Sequence, residues 1–374
     1  LSYYSRALSL LPDGDLEERF ALLRARCQIY DVQGNRAAQL GDLDVLAALA
    51  ERLGEEAEGA VALQQAIYAN AIGDYTEAIA SARRAVALNE AAAAHWEWGK
   101  ALWRQRDNAA ARGHFEQALA LAQEVEDVQM VARSLNGLGM IADSEGAYDQ
   151  AAGYYARALH YQQTAEDLPG QSLTFTNLGW MAFMQGRIFQ AQMNYEKALF
   201  LNRKTGDRLS QSTALNNLGV VVFLHGDLNQ ALEYYQQGLA LSQEVGNRSG
   251  EATLLSNLAL LYHRLGENEM ALAHSEKAIA LARELDIPSV QAEARTHQGH
   301  ALLTLGRVEA ATAAYRRSLS LWEEVGRPQM ALEALAGLVR AALQEEDLPA
   351  ARRLAAQLFD RLEEGAPDGV LEPY

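Results

Sequence analysis

The chain has 374 residues, 49% of them hydrophobic, with 49 acidic against 32 basic residues and a formal net charge of −17. That apolar content excludes a disordered chain, and the acidic balance leaves no electrostatic footprint for a phosphate backbone. Cys27 stands alone, which excludes an internal disulfide framework or a cysteine-rich zinc site, and seven prolines are too few for a loop-rich β-sandwich. The expected class is all-α.

From the N-terminus, residues 1–12 carry Tyr4, Ala7, Leu8 and Pro12, the spacing of the second half of a helical hairpin that lacks its first helix. Residues 16–130 hold irregular hairpins: a turn at Gly34, another at Gly73 with Ala78 following, then a copy built from Trp98-Gly99, Arg106, Ala111, Phe115 and Ala118. From 131 to 327 the pattern is regular, with Gly146, Gly186, Gly226, Gly266 and Gly306 standing forty residues apart. Before each glycine lies Leu138-Gly139, Leu178-Gly179, Leu218-Gly219, Leu258-Ala259 or Gln298-Gly299. After each comes Ala151, Ala191, Ala231, Ala271 or Ala311, then Tyr155, Tyr195, Tyr235, Ser275 or Tyr315. Leu338-Val339, Glu346, Ala351 and Leu358 carry the register into residues 328–374, which end in a tail from Gly365 to Tyr374.

Small and apolar residues three and four apart mark one helix face, and the glycine marks a helix end where the chain reverses. Such a hairpin cannot bury its apolar face alone, so neighbours must stack in one continuous core. About nine hairpins fit between residue 16 and residue 364. With no starting Met, a half-hairpin at one end and no polar capping helix at the other, the chain is expected to be a piece of a longer one.

The pattern Leu218-Gly219, Gly226, Ala231, Tyr235 resembles the tetratricopeptide (TPR) repeat family, and the resemblance covers nearly the whole chain. It implies an all-α, right-handed superhelical solenoid, with the first helix of each hairpin lining a concave face. Forty-residue copies are similar to the subclass in kinesin light chains, Leu-Gly-Asn repeat adaptors and signalling ATPases. Lys204-Thr205-Gly206-Asp207-Arg208, Glu244-Val245-Gly246-Asn247-Arg248 and Glu324-Val325-Gly326-Arg327 recur in phase, and Gly-Asp-Arg before an Asn-Leu-Gly helix is similar to the repeat arrays of bacterial STAND-type ATPases. The resemblance implies a cytoplasmic, non-catalytic sensor that binds a peptide, a protein or a small molecule. A constitutive adaptor is the alternative.

In this family, positions −13, −10, −9, −6, −3 and −2 from the turn glycine should face the ligand. They hold Asn136, Asn177, Trp180, Phe183, Asn216, Asn217, Phe223, Asn257, His263 and Arg264, with Met140, Met184 and Leu224 beside them. Upstream they hold Trp96, Lys100, Trp103 and Arg104; downstream, Glu293, Thr296, His297, His300 and Arg340. Asn177, Asn217 and Asn257 form a ladder with the repeat's own period, and an amide side chain can pair with a peptide backbone of any sequence. The same asparagines could instead bond from one repeat to the next.

Glu293, His297 and His300, at offsets of four and three, share a helix face. They are open to three readings: metal ligands, peptide-contacting or pH-sensitive histidines, or plain polar lining. No His-Glu-x-x-His arrangement, phosphate-cradling loop or nucleophile elbow is present, so neither metal nor cofactor is expected. Cys27 falls at a small-residue position and reads as a packed, inert thiol. The longest apolar run, residues 218–224, is far short of the ~18 residues of a membrane span. No secretory leader is visible. Neither a membrane nor nucleic acid is expected as a partner.

Overall fold

The protein was analysed as a computed structural model, which describes residues 1–12, 14–88 and 91–365. The expected tail beyond Gly365 lies outside these residues. The described residues form nineteen α-helices and one short 3-10 turn. They run α1 (Ser2–Leu10), α2 (Leu16–Val32), α3 (Arg36–Leu53), α4 (Glu55–Ile72), α5 (Tyr75–Ala87), α6 (Ala91–Arg104) and α7 (Asn108–Glu124). Next come α8 (Val128–Ser144), α9 (Tyr148–Thr164), α10 (Leu168–Met184), α11 (Ile188–Thr205), α12 (Arg208–Leu224) and α13 (Leu228–Glu244). The last are α14 (Arg248–Arg264), α15 (Asn268–Glu284), α16 (Pro288–Thr304), α17 (Val308–Glu324), α18 (Leu332–Gln344) and α19 (Leu348–Gly365).

Two compact units divide at Met181 and Ala182, inside α10. In the first, α2/α3, α4/α5, α6/α7 and α8/α9 pair as hairpins, and α1 packs on α2. In the second, α12/α13, α14/α15, α16/α17 and α18/α19 do the same. At the division, α10 and α11 are joined through Gly186 and repeat the same sequence pattern.

Each reversal is built from one local recipe. At the end of α12, Gly226 adopts φ +85°, its N–H donates to Phe223 O, and the Asp227 N–H donates to Val222 O at 3.1 Å. Asp227 then accepts from Gln230 N at 3.0 Å, so one residue closes α12 and caps α13. Asp107, Asp127, Asp207 and Asn247 cap α7, α8, α12 and α14 in the same way.

The left-handed turn recurs every twenty residues from 106 to 346, alternating between the two kinds of helix end. Glycine fills most of these positions, but Arg106, Glu126, Glu166, Asp286 and Glu346 hold positive φ as well. Arg106 and Glu346 stand where the forty-residue spacing expects a turn.

Packing between the two helices of a hairpin explains the small residues. A Cβ on Gly219 would lie 2.4 Å from the Tyr235 ring, and one on Gly299 or Gly337 would lie 2.4 Å from Tyr315. Each aromatic thus needs a side-chain-free backbone beneath it. The copy that departs from the pattern departs twice: it has Ala259 for glycine and Ser275 for tyrosine. Both are fully buried, and Ser275 Oγ donates to Leu272 O at 2.9 Å. The added methyl group and the lost ring compensate each other. Cys27 is likewise fully buried, with its thiol pushed up to about 11 by desolvation, as an inert packed position requires.

Candidate ligand-binding face

The first helices of successive hairpins lie side by side: α14 touches α12 and α16, and α16 touches α18. Their shared length keeps equivalent positions level, so residues at −10 and −9 meet across repeats. Asn257 Nδ2 donates to Asn216 Oδ1 at 2.8 Å, and Asn216 Nδ2 lies 3.5 Å from Asn217 Oδ1. The three are half-buried. Among the described residues, Asn217 Nδ2 and Asn257 Oδ1 have no hydrogen-bond partner. Phe223 lies partly exposed on α12, under the Arg264 guanidinium of α14, 5.9 Å from ring centre to Cζ. On α12 and α14 the structure thus joins Asn257, Asn216 and Asn217 in one group and Arg264 and Phe223 in another, while His263 turns to Asn268 and His300.

The remaining expected residues divide. Asn136 is 4% exposed and pairs with Thr174 at 2.9 Å; Thr174 also donates to Gln162 at 2.8 Å. It belongs to the interior between hairpins, beyond the reach of a ligand. Asn177 is half-buried, and its Nδ2 has no hydrogen-bond partner among the described residues. Trp180 is 51% exposed, whereas Phe183 is partly buried against the core cluster that contains Ala191, Tyr195 and Leu218. Upstream, the Trp96 ring lies between Lys100 and Arg133, at 5.2 and 4.1 Å, and its indole N–H donates to Arg133 O.

The histidines on α14 and α16 each find hydrogen-bond partners within the protein. Arg340 can only donate, so its 3.0 Å contact makes His300 Nδ1 an acceptor, and Tyr315 OH donates to the same atom at 2.8 Å. His300 then donates through Nε2–H to Glu333 at 2.9 Å. His297 donates Nδ1–H to Ser256 O at 2.9 Å, and His263 donates Nδ1–H to Asn268 Oδ1 at 2.8 Å while stacking on His300. Among the described residues no group of three or more His, Cys, Asp or Glu side chains is placed to hold a metal ion.

The electrostatics follow from these contacts. The hydrogen bond from His300 holds Glu333 down to about 2, whereas burial with Glu333 nearby lifts Glu293 to about 7. Burial, with His300 and His263 adding and Glu333 opposing, takes His297 down to about 4, and burial likewise is the main cause that lowers His263. Glu333 was missed in the sequence, although it lies at the same −13 offset from Glu346 as Glu293 from Gly306. Ser256, Asn268 and Tyr315 carry no signal of their own there. Among the described residues no helix is long and apolar enough to cross a membrane.

Several solved structures share this fold. A Rap protein complexed with competence and sporulation factor matches at TM-score 0.66 and 14% identity, covering 93% of this chain and 98% of its own. The apo quorum sensor NprR from B. thuringiensis matches at 0.65 and 14%, covering 86% and 91%. A STAND protein with a tetratricopeptide repeat sensor, from Pyrococcus horikoshii, matches at 0.63 and 16%; 88% of this chain aligns with 53% of that one. No curated protein matches the sequence. Tetratricopeptide repeat profiles match residues 90–164, 170–244, 210–284 and 292–321, more than half of the chain. The chain belongs to the tetratricopeptide repeat family.

Proposed function

We propose that this chain is a non-catalytic sensor module that binds an extended peptide, free or as a segment of a protein, along α12 and α14. The observation that carries this is the Asn257–Asn216 hydrogen bond. It fixes two amide side chains across adjacent repeats and leaves Asn217 Nδ2 and Asn257 Oδ1 as an unpaired donor and acceptor on one surface. Donor and acceptor together suit a peptide unit, whatever its side chain. Two such bonds contribute only about 1 kcal/mol each, while micromolar affinity needs about 8 kcal/mol. Phe223 and the Arg264 guanidinium supply apolar and charged anchors beside them.

The Rap protein's complex with competence and sporulation factor, the quorum sensor NprR and the STAND neighbour's repeat sensor support reading the module as the trigger-binding part of a larger regulator. Switching would require tighter binding to one state of that regulator. A shift from 1:99 to 99:1 takes roughly 5.5 kcal/mol of differential affinity.

Selection of displayed random peptides against the chain tests the reading. Enriched peptides should lose at least tenfold in affinity with Asn217→Ala/Asn257→Ala. No enrichment, or peptides that bind the double variant equally well, would count against it.

A further inference from the structure

Helix α11 departs from its counterparts on the face it turns to solvent. Phe189, Met193 and Phe200 are 75%, 57% and 67% exposed and lie four and seven residues apart, on one stripe. In the other regular copies the first of these positions holds Asp149, Asn229, Glu269 and Glu309. The second holds Gly153, Glu233, Ala273 and Ala313, and the third His160, Ala240, Ala280 and Ser320. The fold therefore does not ask for large apolar groups there. Large apolar side chains in solvent at three linked positions mark a contact surface. His225 meets the Phe189 ring edge-on at 4.7 Å and widens the patch.

We propose that this stripe joins two copies of the chain, with α11 packed antiparallel on its counterpart about a two-fold axis. The argument is self-complementarity. Between Met193 and Phe200 the same exposed face carries one acid and one base, Glu196 and Lys197. Gln192 donates to the Glu196 carboxylate at 2.9 Å and holds it on that side. A two-fold axis passing between residues 196 and 197 sets Met193 of each copy against Phe200 of the other. It also sets each Glu196 against the opposite Lys197, and each Phe189 against the stem of the opposite Lys204. All contacts are then reciprocal, as an isologous interface demands. No other register of α11 on itself matches both the apolar and the charged residues. A stable interface buries about 800 Å² per partner, more than one short stripe offers, so the dimer is of micromolar affinity and in exchange with monomer.

Sedimentation velocity of the chain from about 1 to about 200 µM, a range that brackets micromolar association, reads this out. The expected result is a concentration-dependent dimer. Phe200→Asp, and separately Met193→Asp, should weaken it at least tenfold with an unchanged thermal midpoint, since both side chains are exposed. Glu196→Lys alone should weaken it, and Glu196→Lys/Lys197→Glu should restore it to within about twofold, because the swap preserves the reciprocal pairs. A wild-type chain that stays monomeric throughout overturns the proposal, as does a dimer indifferent to both aspartate variants. Capture of a foreign amphipathic helix by a monomeric wild type would equally overturn it.

Discussion

Asn257 donates to Asn216 across the boundary between two repeats, at 2.8 Å. The same ladder is therefore part structure and part surface, and substitutions should separate the two. Asn257→Ala removes a bond between hairpins and should cost about 1 kcal/mol of stability. Asn217→Ala removes an unpartnered donor and only the long 3.5 Å contact from Asn216, so its thermal midpoint should stay near wild type while peptide affinity falls. Melting by circular dichroism beside peptide titration checks this. Equal destabilisation by both would make the ladder purely structural.

Glu293 and His297 are shifted in opposite directions, each chiefly by burial. The Glu293 carboxyl is lifted to about 7, so its contribution to stability is full below its ordinary 4.5 and lost as pH rises through 7. The His297 imidazole is lowered to about 4, so its contribution is full above its ordinary 6.5 and lost as pH falls toward 4. Glu333 faces both groups, and His300 and His263 face His297. Glu293→Gln removes the first effect and leaves the second. The variant's gain in melting temperature over wild type should therefore grow from pH 5 to pH 8. A difference that stays flat with pH would contradict the burial of this acid.

Glu126 and Asp286 occupy the left-handed turn that glycine fills at Gly206 and Gly246. A non-glycine residue there carries about 1–2 kcal/mol of steric cost, partly offset by the greater freedom glycine gives the unfolded chain. Glu126→Gly and Asp286→Gly should each stabilise by about 0.5–1 kcal/mol. Calorimetry of the two variants and their combination checks this, and the effects should add, since the sites are far apart in sequence and share no partner.

Gly219 and Tyr235 should behave as a coupled pair. Gly219→Ala drives a methyl group into the ring and should cost about 1–3 kcal/mol. Tyr235→Ser empties the space and should cost about 3–5 kcal/mol. The double variant copies the Ala259 and Ser275 arrangement and should cost clearly less than the sum. Urea unfolding of the four proteins gives the coupling directly. Strict additivity would mean the departing copy is tolerated for another reason.

The repeat was legible because steric demands wrote it into residue types: a glycine for a left-handed turn, a small residue beneath each ring. Arg106 and Glu346 were legible as turns only through the spacing around them. The candidate face was half legible. Offsets from Gly226 and Gly266 brought Asn216, Asn217 and Asn257 to one side. Which amide bonds which depends on the displacement of one helix against the next, and no offset within a single copy contains that. Asn136 shows the limit: its −10 position equals that of Asn216, yet Thr174, two helices further on in α10, draws it inside. The stripe on α11 was visible as a departure between copies, but attention to what the copies share passes over what one of them adds.

The twenty-residue interval between left-handed turns has a consequence for how such a chain can change. A forty-residue block taken from anywhere in the regular region starts and stops at equivalent backbone points. It can be removed, duplicated or exchanged without resetting a turn elsewhere. Length and surface chemistry are thereby separable traits: rungs can be added for reach while the side chains on any one rung are rewritten independently.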